Sequence, residues 1–417
     1  MTESGLGAVF RVREFRVLWA AELFSIAGDQ LARVALAVLV YGRTGSAVWA
    51  AFTYALTFLP ALLGGMLLAG LADRYRRREV MIVADVLRAG LVAVMAVPDM
   101  PIWALCVLLV AVVLLSAPHT AAQGALLPAI LRGELYERGL AVRQITSQSA
   151  QLVGFATGGL LVAALTPSVA LLGNALTFAL SAVLVRVGVA NRPPPPRVEP
   201  TGDAPGPAAV GGLRGAVAGL REIGADPRRR ALVALAWLVG WYVVPEALAA
   251  PYADQLGAGP AVVGLLMAAD PLGSVLGAWL FVRYVPADTR ARLVGVLAVA
   301  AGLPLLLALV HPGVPLTVLL WALSGALSTA YLLQTQASFV RATPDGSRGR
   351  AIGVAASGIV AAQGAAILVG GFLADLWDPA TAIAAAGASA RCSRPSARSR
   401  GSGPTGRPRP RPARPRS

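Results

Sequence analysis

The residues with chemistry to offer in this sequence are charged side chains set inside long apolar runs. Glu22, Asp29 and Arg33 fall in one run, Asp85 and Arg88 in another, Glu246 directly follows Pro245, and Asp270 directly precedes Pro271. A charge at the centre of an apolar helix in a membrane costs roughly 2.5–3.5 kcal/mol on insertion scales, so such groups face a protein interior and find partners. Asp29 and Arg33 are four residues apart, which places them on one helix face where they can pair. A carboxylate that takes up and releases protons must lack a neighbouring Arg, because a cation beside it favours the ionised form. Glu246 and Asp270 meet that condition and Asp29 meets it less well, so these three are the candidate proton-coupling groups. Each has the competing reading of a hydrogen-bonded structural carboxylate. Pro245 and Pro271 free backbone groups and can bend their helices toward a cavity. His119, after Pro118, could titrate near neutral pH, but a buried, hydrogen-bonded histidine is the simpler reading.

Catalytic chemistry finds no support. There is no His-Glu-x-x-His, no paired His/Asp metal cluster and no Gly-x-Ser-x-Gly with a His partner, so no catalytic residue, metal or cofactor is expected. The chain contains no Lys, which excludes a phosphate-binding loop ending in Gly-Lys-Ser/Thr. Cys106 and Cys392 have no partners at metal-ligand spacing, and a disulfide between them is not expected.

The elements that must hold these charges are membrane-spanning helices. Of 417 residues, 56% are hydrophobic and 14% charged, against roughly a quarter charged in soluble domains. Apolar runs of helix-spanning length predict eleven spans, at 16–41, 47–71, 79–98, 101–128, 143–165, 168–189, 231–252, 260–283, 291–311, 314–337 and 350–374. A twelfth begins near Asp378 and stops. The N-terminal stretch has no cleavable signal pattern. The net charge of +15 is carried entirely by arginines. They fall in alternate gaps between spans and in a tail after Ala390, which places the N-terminus in the cytoplasm and argues against nucleic-acid binding.

Four regions follow: an N-terminal six-helix bundle at 1–189, a cytoplasmic Pro-rich linker with a short interfacial helix at 190–230, a C-terminal bundle at 231–390 with five spans and an aborted sixth, and a disordered basic tail at 391–417. The tail's Arg, Pro, Ser and Gly are what GC-rich DNA yields when read in another frame, so a reading-frame change near Ala390 is an expectation. Arg138-Gly139-Leu140-Ala141 and Gly158-Gly159-Leu160-Leu161 are echoed by Arg348-Gly349-Arg350-Ala351 and Gly370-Gly371-Phe372-Leu373 about half a chain later. A duplicated six-helix unit of this kind places its binding site at mid-membrane, between the halves.

Gly70-Leu71-Ala72-Asp73-Arg74-Tyr75-Arg76-Arg77-Arg78, between the second and third spans, resembles the loop signature of the major facilitator superfamily, with Ala69 and Arg76 where glycines are usual. Ser25-Ile26-Ala27-Gly28-Asp29-Gln30 and Ala84-Asp85-Val86-Leu87-Arg88-Ala89 are similar to the branch containing enterobactin exporters and macrolide efflux proteins. The resemblance implies an all-α membrane protein of two six-helix bundles with the twelfth helix truncated or absent. It also implies secondary active transport, by alternating access, of a small hydrophobic molecule (drug, antibiotic or siderophore) out of the cell, driven by protons. By the same resemblance Gly70, Asp73, Arg74, Arg77 and Arg78 form a gate, with Asp85 and Arg88 in its network. Gly154, Gly158 and Gly159 resemble the small-residue stretch of antiporters, with Phe155 where Pro is usual; with Gly370 and Gly371 they also serve plain helix packing. The expected partners are a small-molecule substrate, protons and the lipid bilayer, for a monomer in a bacterial-type plasma membrane. The alternatives are a truncated, non-functional transporter or a transporter-like sensor or assembly protein.

Overall fold

The computed structural model describes residues 6–68, 70–193, 213–344 and 348–392. Most of the linker and of the basic tail, with the disorder expected there, lie outside these residues. The fold is all-helical, in two bundles. In the first, α1 (Arg13–Thr44) is followed by α2 (Ala47–Ala55), α3 (Leu59–Leu67) and α4 (Leu71–Arg74), which divide the second span among them. Then come α5 (Arg77–Met95), α6 (Ile102–Ile130), α7 (Glu134–Ala164) and α8 (Pro167–Gly188). A short helix, α9 (Leu213–Ala225), leads into the second bundle. Its seventh span is split into α10 (Pro227–Tyr242), α11 (Val244–Ala247) and α12 (Ala249–Gln255). It is completed by α13 (Pro260–Tyr284), α14 (Ala287–Leu306), α15 (Val314–Ala342), α16 (Arg348–Leu376) and α17 (Pro379–Cys392).

Local chemistry sets these boundaries. Gly45 ends α1 in the left-handed conformation, φ 62°, and returns its N–H to the Tyr41 carbonyl, the usual glycine stop. Thr166 and Asp226 cap α8 and α10 through their side chains, each followed by a proline at the first helical position, where the missing N–H costs nothing. Pro245 and Pro251 accompany the breaks in the seventh span, whereas Pro271 is carried inside a continuous α13. Of the two bends predicted at prolines, one is a break and the other is absorbed.

Nine described stretches are long and apolar enough to cross a membrane, fewer than the eleven the apolar runs predict. The expected spans outside that set are α5 and α7. Both stand beside the others, α5 against α6 and α8, and α7 against α1 and α13. The helix α5 falls short because it carries Arg77, Arg78, Glu79, Asp85 and Arg88, and α7 because its charge-free part carries Ser147, Gln148, Ser149 and Gln151 near its start. The fourteen described residues of α17 reach about 21 Å. This helix packs on α14 with Gly387 against Gly302.

The two bundles meet mainly through α7 on α13 and α2 on α16. Hydrogen bonds between them run from mid-helix toward the end opposite the linker. Tyr54 donates to Glu246 near the middle, Tyr41 donates to Asp254 at 3.0 Å, and Ser46 and the Ala47 N–H both donate to Asp375 at 2.6 Å.

Candidate functional site

The split of the seventh span places Glu246 one residue beyond Pro245 on α11, against α2 of the other bundle. Its side chain is 8% exposed and accepts a hydrogen bond from the hydroxyl of Tyr54, itself 4% exposed. The Arg33 guanidinium, from α1, stands 5.7 Å from the Tyr54 ring centroid and 5.5 Å from that of Phe58. Asp270, on α13, is followed one turn later by Ser274. Room for Asp270 is made by Gly325 on α15, where a Cβ would come within 2.6 Å of the Asp270 carboxylate oxygen. Glu246 thus lies at the contact between the bundles, held by Tyr54 of the other one, and Asp270 lies against α15 within its own bundle. Arg33 comes to this place through the Tyr54 ring, and no ion pair joins it to Glu246. Neither Tyr54 nor Arg33 is singled out for this place by the sequence. The one available signal is that Arg33, a cation within a span, needs a partner.

A second charged cluster fills the N-terminal bundle. Arg88 binds both carboxylate oxygens of Asp29, at 2.9 and 3.2 Å, and approaches Asp85 at 3.4 Å. Asp85 is fully buried, accepts from Ser181 at 2.6 Å, and lies 3.3 Å from His119 Nε2. The Arg88 guanidinium lies over the Phe178 ring at 3.9 Å, a favourable cation–π contact. The i,i+4 spacing allows an Asp29–Arg33 pair; the structure instead gives Asp29 to Arg88, which leaves Arg33 beside the Tyr54 and Phe58 rings. The bidentate contact from another helix wins because a planar guanidinium fits both carboxylate oxygens at once. A cavity of about 100 Å³ borders Asp29, Arg33, Arg88 and Asn174.

The loop between the second and third spans lies elsewhere. Gly70 precedes α4, and Asp73 and Arg74 are exposed. Asp73 makes no hydrogen bond or ion pair with a described residue. Arg77 donates to the Ala125 carbonyl at 2.9 Å and Arg78 to the Arg186 carbonyl. The latter carbonyl sits in the last turn of α8, where carbonyls lack intrahelical partners and the helix dipole favours a cation. Arg290 does the same in the second bundle, donating to the carbonyls of Val282 and Val285 at the end of α13. Arg88 lies eleven residues beyond Arg77 on α5, about 16 Å along the axis, so it and Asp85 join the interior cluster with Asp29 rather than the loop.

The glycines divide by partner. Gly154 and Gly158 pack on α1, against Ala27 and Gln30 and against Leu31 and Val34, within their own bundle. Gly159 packs on Gly264 of the other bundle. In the second bundle Gly370 packs on Val244 of its own seventh span, while Gly371 packs on Ala51 across the divide. Two tryptophans are held by hydrogen bonds: Trp19 donates to the Thr146 hydroxyl and meets Phe10 edge to face, and Trp237 donates to the Ala355 carbonyl. A largely apolar cavity of about 240 Å³ opens beside Thr335, Gln336 and Phe339, on the linker side of the C-terminal bundle.

Comparison with known proteins agrees with this architecture. The bacterial homologue of the human lysosomal transporter Spinster superposes with a TM-score of 0.65 at 15% identity, covering 94% of each chain. A POT family transporter solved with 5-aminolevulinic acid gives 0.69 at 13% identity, over 91% of this chain and 94% of that one. The nucleoside transporter NupG gives 0.68 at 12%, over 90% and 97%. At these identities the likeness is one of fold. In sequence, the chain is 26% identical to macrolide efflux protein A of Streptococcus pyogenes over 152 residues, 36% of this chain and 38% of that protein. The chain therefore matches well under half the length of this curated relative. The family model of the Major Facilitator Superfamily matches residues 18–244, more than half of the chain. This multi-pass membrane protein belongs to the major facilitator superfamily of transporters, not to an enzyme family.

Proposed function

We propose that this protein is a proton-coupled exporter of a small hydrophobic molecule, with Glu246 and Asp270 as its coupling carboxylates. The observation that carries this is the position of Glu246: a buried carboxylate at the contact between the two bundles, hydrogen-bonded to Tyr54 of the other bundle. Motion between bundles changes the surroundings of such a group, which is what coupling a proton to alternating access requires. Asp29 is the weaker candidate, because Arg88 holds it in a two-point ion pair. Export rests on the similarity to macrolide efflux protein A.

The alternation of arginine-bearing gaps puts the N-terminus and linker in the cytoplasm of a bacterial-type plasma membrane. The inter-bundle hydrogen bonds of Tyr41, Ser46 and Ala47 then lie at the outer end, and we read the state described as closed there. We assign residues 1–189 and 231–390 to the two moving units, with α9 of the 190–230 linker lying in the cytoplasmic interface. Ile223 anchors α9 against Phe339 and Ala351 while Val217 and Leu220 are exposed. Asp73, Arg74, Arg77 and Arg78 form the cytoplasmic gate, with Asp73 free to pair once the halves close there. The working unit is a monomer in the bilayer.

The test is accumulation of hydrophobic antibiotics and siderophores in cells expressing the protein. Lower accumulation of at least one, abolished by an uncoupler while ATP remains, is the expected result. Efflux that survives the uncoupler contradicts proton drive.

A further inference from the structure

We infer that the cavity beside Arg33 in the N-terminal bundle binds an uncharged group with an acceptor oxygen, such as a ketone, ester or amide carbonyl. With the protein read as a transporter of small hydrophobic molecules, on which the substrate class rests, this group is the polar end of the substrate. The cavity, of about 100 Å³, lies among α1, α3, α5, α6 and α8. Its walls are mostly apolar, with Leu36, Val92, Leu109 and Leu171 among them. Its polar side chains are Asp29, Arg33, Thr57, Arg88, Ser116 and Asn174. Their hydrogen bonds are unevenly made. Arg88 takes both oxygens of Asp29, and Thr57 and Ser116 give their hydroxyl hydrogens to the carbonyls of Tyr54 and Val113. Among the described residues Arg33 has no ion-pair partner and no carbonyl acceptor, and the Tyr54 and Phe58 rings support it. Asn174, 1% exposed, accepts from Thr177 through its side-chain oxygen, and its amide N–H groups have no partner among the described residues.

Two donors thus border an apolar cavity without acceptors. A ring face attracts the charge of a guanidinium but leaves most of its five N–H groups to find oxygens elsewhere, and a donor left unmatched away from water is costly. The missing partner is an acceptor rather than an anion. Arg88 meets both Asp29 and Asp85, so with Arg33 nearby the two acids and two arginines already balance. An anion would bring an unmatched charge toward Asp29, whose side chain is 34% exposed. A carbonyl satisfies the donors and adds no charge, while the carbon next to it meets the apolar walls. Sites that enclose a whole drug-sized ligand run to about 300–1,000 Å³, so this cavity takes one end of such a molecule. Arg33 also borders a smaller recess with Thr53 and Tyr54. Tyr54 touches the other bundle, so a molecule held at Arg33 lies one side chain from the divide.

The experiment is protection of a cysteine in the cavity, Ser116→Cys or, on another wall, Thr57→Cys, in the full chain in detergent with Cys106→Ser and Cys392→Ser. The rate of reaction with N-ethylmaleimide is measured with and without three probes of one shape: acetophenone, which has a carbonyl; ethylbenzene, which has no oxygen; and benzoate, which is an anion. Acetophenone should slow the reaction several-fold in a saturable way, and the other two should not at the same concentration. Arg33→Met should abolish the protection, and Arg33→Lys, which keeps a donor and the charge, should retain part of it. Arg33→Met has no ion-pair partner to strand, and its folding is checked by an unchanged melting temperature; were it lowered, Asn174→Asp, which removes N–H donors and adds a charge, should weaken protection in its place. Equal protection by ethylbenzene would make the cavity a plain apolar void, and stronger protection by benzoate would make it an anion site. Either result overturns the proposal, as does protection that survives Arg33→Met, protection by none of the probes, or a cysteine that reacts at neither position. Protection is read without transport. Its failure would therefore leave proton-driven export standing, and failure of proton-driven export would leave the site standing.

Discussion

Gly159 of α7 lies backbone to backbone against Gly264 of α13. A Cβ on Gly159 would stand 2.7 Å from Gly264 Cα, and one on Gly264 would stand 2.5 Å from the Phe155 carbonyl oxygen. The bundles can approach this closely only where neither residue carries a side chain. The same relationship recurs between Gly371 of α16 and Ala51 of α2, where a Cβ would meet the Ala51 methyl at 2.4 Å. Each Gly-Gly step thus uses its first glycine within its own bundle and its second across the divide, as expected of a duplicated unit.

Gly159→Ala should therefore open the outer end without unfolding the protein. A membrane-impermeant thiol reagent added outside should label a cysteine at Ala258 several-fold faster in this variant than in the parent. Gly158→Ala faces Leu31 and Val34 of its own bundle, so it should lower the melting temperature in detergent and leave the labelling rate unchanged.

Asp375 caps α2 from the other bundle, accepting from both the Ser46 hydroxyl and the Ala47 N–H at the helix start. A carboxylate there satisfies free N–H groups and meets the positive end of the helix dipole. Asp375→Asn removes the charge and Ser46→Ala removes one donor; each should raise the external labelling rate. Both effects should be smaller than that of Gly159→Ala, because an exposed cap is worth about 0.5–2 kcal/mol.

Arg88 neutralises two carboxylates, Asp29 and the fully buried Asp85. Removing one partner of a buried ion pair costs about 3–5 kcal/mol, since the other charge is left unmatched. Arg88→Met should cut the yield of folded protein and lower its melting temperature by many degrees. Combining it with Asp85→Asn and Asp29→Asn should recover part of the loss. A single variant as stable as the parent would show that the cluster does not support the fold.

Arg77 and Arg78 bind carbonyls of Ala125 and Arg186, tying α5 to α6 and α8 at the linker end. Arg77→Gln with Arg78→Gln should loosen that end and slow substrate-driven turnover several-fold, with a smaller effect on substrate affinity in a binding assay. Equal loss of both would place these residues at the substrate rather than at a gate.

Much of the fold is written locally, and most of the site is not. Apolar runs between arginine-bearing gaps mark the helices to within a few residues, because length and hydropathy are properties of contiguous sequence. The breaks at Pro245 and Gly45 are local too. The apolar runs mark α5 and α7 as spans too, but not what their charges meet: those are neutralised from other helices, Arg88 by Asp29 and Arg143 by Glu22 at 2.7 Å. For the same reason the nearest partner in sequence misleads. Asp29 and Arg33 have the right spacing for a pair, yet Arg88 arrives from α5 with better geometry. Glu246 and Asp270 stand out as charges in apolar runs, but Tyr54 does not, since an aromatic in a span has no distinctive pattern. Gly159 and Gly371 are visible as repeats, while their partners across the divide become apparent only in three dimensions.

The central claim is that Glu246 carries the proton that drives transport, and proteoliposomes test it most directly. Once one exported compound is known, two rates are measured for the parent and for Glu246→Gln: exchange of that compound at equal pH on both sides, and its movement driven by a pH gradient. Exchange needs the bundles to rock with substrate bound, whereas driven movement also needs the proton. The account predicts that Glu246→Gln keeps exchange within a few-fold of the parent and loses gradient-driven movement. Gradient-driven transport retained in Glu246→Gln would contradict it.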